Sequence, residues 1–158
     1  MLAIFDIDGV VADVRHRLHH LHHPGRWSNF FRAAGEDPLL PEGAALVADL
    51  AREHEIVWLT GRPDWLRDTT VDWLAAHGLP GTEVHMRPDG DHRPARLFKL
   101  GVLRGLAPRG IAALNDDDRE VVDAALGAGF PAALADWVPR DDPYGDALHD
   151  AQERFGRT

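Results

Sequence analysis

The sequence holds no cysteine in its 158 residues, which excludes disulfides, zinc–thiolate sites and thiol nucleophiles together. No apolar stretch approaches the roughly eighteen residues that a membrane-spanning helix needs. The opening run Leu2-Ala3-Ile4-Phe5 is halted at once by Asp6, so it does not read as a secretion signal, and a cytoplasmic location is the expectation. Positive charge is scarce as well: 17 Lys and Arg against 26 Asp and Glu leave a formal net charge of −9. That balance disfavours a broad basic surface that coats nucleic acid. It leaves open the recognition of one phosphorylated end, where only the local field matters. The Gly-x-x-x-x-Gly-Lys-(Ser/Thr) loop of a P-loop kinase is also missing.

What is present is ordinary for a globular chain: 44% apolar and 27% charged residues, enough for one domain with one core. Short apolar runs at Leu2 to Phe5, Ile56 to Leu59, Glu83 to Met86 and Gly110 to Leu114 predict buried strands, with a shorter one at Phe130 to Leu134. Between them, apolar residues at helical spacing predict helices over Glu42 to His54, Asp64 to His77, Arg96 to Gly105 and Val121 to Leu126. Strands alternating with helices predict an α/β fold, an open Rossmann-like parallel sheet flanked by helices. Residues 14–41, rich in His, Pro and Gly, are expected to form a flap or small cap with one short helix over Trp27 to Ala34. Residues 136–158 are expected to form a polar tail with a helical patch near Ala147 to Phe155. The whole of 1–158 then reads as a single domain with a minimal cap.

Ligands of such sheets sit beyond the carboxyl ends of the strands. Three predicted strands end in polar clusters: Asp6 and Asp8, Thr60 and Arg62, Asp116 and Asp117. Topology would bring these into one crevice. Converging carboxylates repel one another and call for a cation, and an oxygen-only set without His or Cys favours Mg²⁺ over zinc. A metal beside a carboxylate and a phosphate makes carboxylate attack on phosphorus feasible. The Thr60 hydroxyl and nearby amides can hold phosphate oxygens, and Lys99 can neutralise developing charge. A calcium loop is excluded, because the twelfth position counted from Asp6 is Arg17 rather than Glu.

Asp6-Ile7-Asp8-Gly9-Val10 resembles the Asp-x-Asp-x-(Thr/Val) signature of the haloacid dehalogenase (HAD) superfamily. Thr60 after Ile56-Val57-Trp58-Leu59, Lys99, and Asp116-Asp117 after an apolar strand resemble its second, third and fourth motifs, in order. The resemblance implies Asp6 as a nucleophile that forms an aspartyl-phosphate. It implies Asp8 as the acid and base. It also implies Mg²⁺ held by Asp6, the backbone carbonyl of Asp8 and Asp116, with Asp117 close by. Within the run 116–118 the register of the metal aspartates stays open by one.

Within the superfamily the chain resembles the 3′-phosphatase half of bacteriophage polynucleotide kinase-phosphatases. Thr60-Gly61-Arg62 followed by Thr70-x-x-Trp73, Arg17 in the first gap, and Met86-Arg87-x-x-Gly90-Asp91-x-Arg93 ahead of Lys99 carry that likeness. It implies substrate contacts from Arg17, Gly61, Arg62, Arg87 and Arg93, and polynucleotide or nucleotide 3′-phosphates as substrates. Ala95 and Arg96 depart from the group, which has acidic residues there. A mononucleotide 5′-phosphatase, another small-molecule phosphatase, or an idle module binding a metal or partner are the alternatives. His16, His19, His20, His22 and His23 form either a polar flap or a metal site. Trp27, Phe30 and Phe31 are expected to pack, with base stacking as the alternative, and Trp58 and Trp73 read as core.

Overall fold

Five short runs pair as the alternating pattern predicts. In the computed structural model, which describes residues 1–22, 27–139 and 145–156, they are β1 (Leu2–Phe5), β2 (Glu55–Pro63), β3 (Glu83–Arg87), β4 (Ile111–Asp116) and β5 (Ala132–Leu134). All neighbours are parallel, in the order β3-β2-β1-β4-β5. The central strand β1 is apolar at every position because both of its faces are covered. Ala3 and Phe5 join Trp58, Val47, Trp73 and Leu74 on one face. Leu2 and Ile4 join Val57, Leu59, Phe98, Leu103, Leu114 and Val121 on the other. Helices α2 (Pro41–Leu50) and α3 (Arg67–Ala76) thus cover the first face, and α4 (Ala95–Leu106) and α5 (Arg119–Gly127) the second. Each fully buried side chain such as Ile4 or Leu59 contributes about 1.5–3 kcal/mol by leaving water. Among the described residues no helix is long and apolar enough to cross a membrane.

Three departures from the expected elements bear on the site. β2 continues past Leu59 through Thr60-Gly61-Arg62 to Pro63, with a register shift against β3. The polar residues stay in the strand because Thr60 and Arg62 are fully buried and find partners inside the fold. The helix expected over Trp27 to Ala34 is shorter, α1 (Trp27–Arg32) followed by a 3₁₀ turn Ala33–Glu36. Gly35 in that turn packs its Cα toward Thr69, where a Cβ would come to 3.2 Å of Cγ2. Residues 145–156 are a packed element rather than a polar appendage. α6 (Gly145–His149) runs into a π-helical turn, Asp150–Arg154, and buries Leu148 and Ala151.

Candidate active site

The site begins where β1 stops. The N–H groups of Val10, Val11 and Ala12 all donate to the Ile7 carbonyl, at 3.2, 3.0 and 2.9 Å, winding the chain into a tight turn. That turn follows Asp6 and brings Asp8 round to the crevice. It needs glycine at position 9, where φ is +77° and a Cβ would lie 2.1 Å from Asp117 Oδ2. Gly9→Ala therefore combines a left-handed strain of about 1–2 kcal/mol with displacement of a site carboxylate. An unfolding temperature lower by roughly 2–8 °C is expected in a thermal melt.

Carboxylate oxygens of Asp6, Asp116 and Asp117 lie within 4.8 Å of one another, all buried. Lys99, in the second turn of α4 and itself buried, sits between them, with Nζ 2.8 Å from Asp6 Oδ2 and 2.7 Å from Asp116 Oδ2. The backbone fixes the other oxygens: Ile7 N–H donates to Asp6 Oδ1 at 2.7 Å and Asp118 N–H to Asp116 Oδ1 at 3.0 Å. Burial pushes the Asp6 carboxyl up to about 7 even though Lys99 pulls it down, with Asp116 and Asp8 adding to the rise. Burial likewise raises Asp116 to about 6 against the pull of Lys99. The same two carboxylates hold the Lys99 ammonium firmly charged, outweighing its own burial. One ammonium facing three carboxylates leaves an excess of negative charge among oxygen donors only. That donor set fits a hard divalent cation.

Asp8, two residues from Asp6, faces a different neighbourhood. Arg62 donates to its Oδ1 through Nε at 3.0 Å and Nη2 at 2.6 Å, and Arg17 through Nη2 at 2.9 Å. Its Oδ2 is buried without a hydrogen-bond partner. Burial raises the Asp8 carboxyl, but the two guanidinium groups outweigh it and hold it below the usual carboxylate value. Behind them stands Asp37, which accepts from Arg17 Nε and Nη2, both at 2.8 Å, and from Arg62 Nη2 at 3.0 Å. His16 Nε2 lies 2.7 Å from Asp37 Oδ1, and Trp73 Nε1 donates to the Asp37 carbonyl at 2.8 Å. The result is a buried square of two aspartates and two arginines, closed by Arg62 Nη1 donating to Thr70 Oγ1 and by Arg17 stacked 4.2 Å over Phe30.

The sequence-predicted residues thus divide. Asp6, Lys99, Asp116 and Asp117 come together, Asp8 meets Arg17 and Arg62, and the Thr60 hydroxyl accepts from Arg62 N–H at 3.3 Å. The Asp8 carboxylate itself stands outside the carboxylate cluster. Arg17, Arg62 and Arg87, expected as substrate contacts, are buried. Arg87 donates to the Arg93 carbonyl at 2.7 Å and braces the loop ahead of α4, while Arg93 turns outward onto Asp91. Gly61 lies inside β2. Phe30 and Phe31 are core, as expected of packing residues, and so are Trp58 and Trp73. The histidines form no metal group among the described residues; His19 and His20 stack at 4.0 Å, and His23 lies outside the described residues. Asp37 was not legible as a site residue, because an Asp before Pro38 in a turn carries no signal of its own.

A parallel 3-2-1-4-5 sheet with an Asp-x-Asp turn, a buried lysine and a distal aspartate pair defines a phosphatase fold of the haloacid dehalogenase class. Residues 1–130 match the family described as the polynucleotide kinase PNKP phosphatase domain, and the chain belongs to that family. Solved structures agree on the fold. A chain in the Pnkp1/Rnl/Hen1 complex superposes with a TM-score of 0.69 at 22% identity, covering 84% of this chain and 45% of that one. The class C acid phosphatase from Bacillus anthracis gives a TM-score of 0.59 at 17% identity, over 94% and 78% of the two chains. The L-2-haloacid dehalogenase from Xanthobacter autotrophicus gives 0.56 at 16% identity, over 95% and 82%. The chain therefore spans less than half the length of the chain it matches in the Pnkp1 complex. No curated protein matches significantly.

Proposed function

We propose that this chain is a Mg²⁺-dependent phosphomonoesterase that works through an aspartyl-phosphate on Asp6 and acts on 3′-phosphates of nucleotides or polynucleotide ends. The observation that carries the reading is the contrast between two carboxylates two residues apart. Asp6 shares Lys99 with a metal-type cluster, and Asp8 is gripped on one oxygen by two guanidinium groups with the other oxygen bare. Mg²⁺ held by Asp6, Asp116 and Asp117, with the backbone carbonyl of Asp8, would screen the repulsion between the nucleophile and an anionic phosphate. The rest falls to the chain. An Asp6 carboxylate oxygen attacks phosphorus as the bond to the leaving oxygen breaks, and Asp8 Oδ2 gives that oxygen its proton. Asp8 then takes a proton from water, which attacks the same phosphorus, frees inorganic phosphate and restores Asp6.

Asp8 rests ionised, so it must gain its proton in the complex. A phosphate dianion entering beside it supplies the negative field that raises a carboxyl. Arg17 and Arg62 fix its orientation meanwhile. Lys99 and the Thr60 hydroxyl neutralise and hold the phosphate oxygens, with the Gly61 backbone alongside, and Arg87 and Arg93 order the loop at the entrance. Trp65 supports a base-bearing substrate. It is 49% exposed, two residues past the end of β2, braced edge-on by Phe31 at 6.0 Å, and it lines a small cleft with Pro63 and Arg87.

The test is a panel of 3′-phosphorylated oligonucleotides, 3′- and 5′-mononucleotides and sugar phosphates, each with Mg²⁺ and with EDTA. The highest kcat/KM is expected for the 3′-phosphates, with EDTA abolishing turnover. A preference for 5′-mononucleotides or sugar phosphates would discard the substrate and keep the chemistry; EDTA-insensitive turnover would discard the metal.

Stability should report the same crowding. Asp6 and Asp116 titrate near 7 and 6 in the folded chain against 3.8 ordinarily, so between pH 4 and 7 the metal-free folded state binds more protons than the unfolded one. Its stability from these groups must then fall as pH rises through that window. Thermal melts in EDTA are expected to show this fall, and Mg²⁺ to reverse it at pH 7. A melting temperature indifferent to Mg²⁺ at pH 7 would count against the cluster as a metal site.

A further inference from the structure

Residues 145–156 lie outside the 1–130 span of the family match, yet they carry a buried carboxylate to the wall of the site. Glu153 is 9% exposed. Its Oε1 accepts the Arg96 backbone N–H at 3.3 Å, and its Oε2 pairs with Arg96 Nη1. Helix α4 starts at Ala95 after Pro94, which offers no side-chain cap, so Glu153 satisfies one of the N–H groups that the first turn leaves open. Lys99 stands three residues further along that helix.

Arg96 Nη1 also donates to Glu120 Oε2 at 3.2 Å, which ties the start of α4 to the first turn of α5. Asp118 caps α5 by accepting the Glu120 N–H at 2.9 Å, and its own N–H holds Asp116 Oδ1 at 3.0 Å. A path thus runs from Glu153 through Arg96, Glu120 and Asp118 to the carboxylate that Lys99 also holds. Packing fixes the approach of the segment independently: Ala151 and Leu148 are buried, and at Gly156, with φ +55°, a Cβ would strike the His92 carbonyl oxygen at 2.1 Å.

We propose that Glu153 is a positioning residue of the active site, which caps α4 and, through Arg96, ties it to the start of α5 so that Lys99 and Asp116 keep the spacing a metal and a phosphate require. The inference rests on reading the site as a metal-dependent phosphatase. It adds a functional contact from outside the family's matched span.

The test compares the full chain with Glu153→Ala, Glu153→Gln and Asp118→Ala, measuring Mg²⁺ affinity by calorimetry, kcat and KM, and the unfolding temperature. Glu153→Ala is expected to weaken Mg²⁺ binding about tenfold and lower kcat about tenfold, with KM for the phosphoester unchanged. Glutamine can still accept from the Arg96 N–H, so Glu153→Gln should keep both quantities within about threefold of native. Asp118→Ala cuts the path from the other side and should match Glu153→Ala in Mg²⁺ affinity. Native Mg²⁺ affinity and kcat in Glu153→Ala would overturn the proposal, as would equal losses in the Ala and Gln variants. Should Glu153→Ala not fold, native Mg²⁺ affinity in Asp118→Ala overturns it alone. A native chain that neither binds Mg²⁺ nor releases phosphate refutes the underlying reading of the site, a result distinct from any of these.

Discussion

Asp6→Asn is expected to lower kcat by about 10⁴-fold or more while the unfolding temperature stays within a few degrees of native. Asparagine keeps the shape of the side chain, so the Ile7 N–H keeps an acceptor at the Asp6 Oδ1 position and Lys99 keeps Asp116. What disappears is the nucleophile, because an amide cannot form the acyl-phosphate that water then cleaves. Removing one charge from three crowded carboxylates also removes a buried anion, whose burial first and whose repulsion from Asp116 and Asp8 second push Asp6 up to about 7. The variant should therefore melt no lower than native in EDTA and gain less from Mg²⁺. Rapid-quench assays on a 3′-phosphorylated oligonucleotide, with melts in parallel, check both halves. Undiminished phosphate release by this variant would sink the covalent mechanism.

The centre of the site was legible because strand ends are legible. Leu2 to Phe5 and Ile111 to Leu114 are short apolar runs that break into carboxylates, and a parallel sheet must bring such breaks to one edge. Lys99 was readable from its place on a helix between two of those strands. Periodicity says nothing of a buried charge, however, since a charge is buried only by its partner. Arg17 and Arg62 are expected as substrate contacts, although Asp8 and Asp37 hold both at 0% exposure. For the same reason β2 was expected to stop at Leu59. Glu153 carried no signal either. The acidic side chain missing at Ala95 and Arg96 is met in space by one more than fifty residues later, a pairing that only the folded chain makes.

Arg62→Ala is expected to destabilise the fold by about 3–5 kcal/mol at pH 7 and to reduce kcat about 10²-fold. Arg62 donates twice to Asp8 and once each to Asp37 and Thr70, with no exposure to water. Its removal leaves two buried carboxylates to share Arg17, and breaking one member of such a pair strands the charge that remains. Lysine cannot repair this, because a point charge cannot bridge two carboxylates as the guanidinium fork does, so Arg62→Lys should recover only part of the loss. The pH dependence identifies the cause. Arg62 and Arg17 hold the Asp8 carboxyl below its ordinary 3.8 despite burial, so their stabilisation is present above that value and is lost as pH falls through the lower folded one. The gap between native and Arg62→Ala should accordingly be widest near neutrality and narrow as pH falls below 4. Denaturant unfolding of both proteins across that range measures it. A gap that stays constant with pH would assign the loss to packing around the Arg62 stem, and Asp8 would then owe its orientation to Arg17 alone.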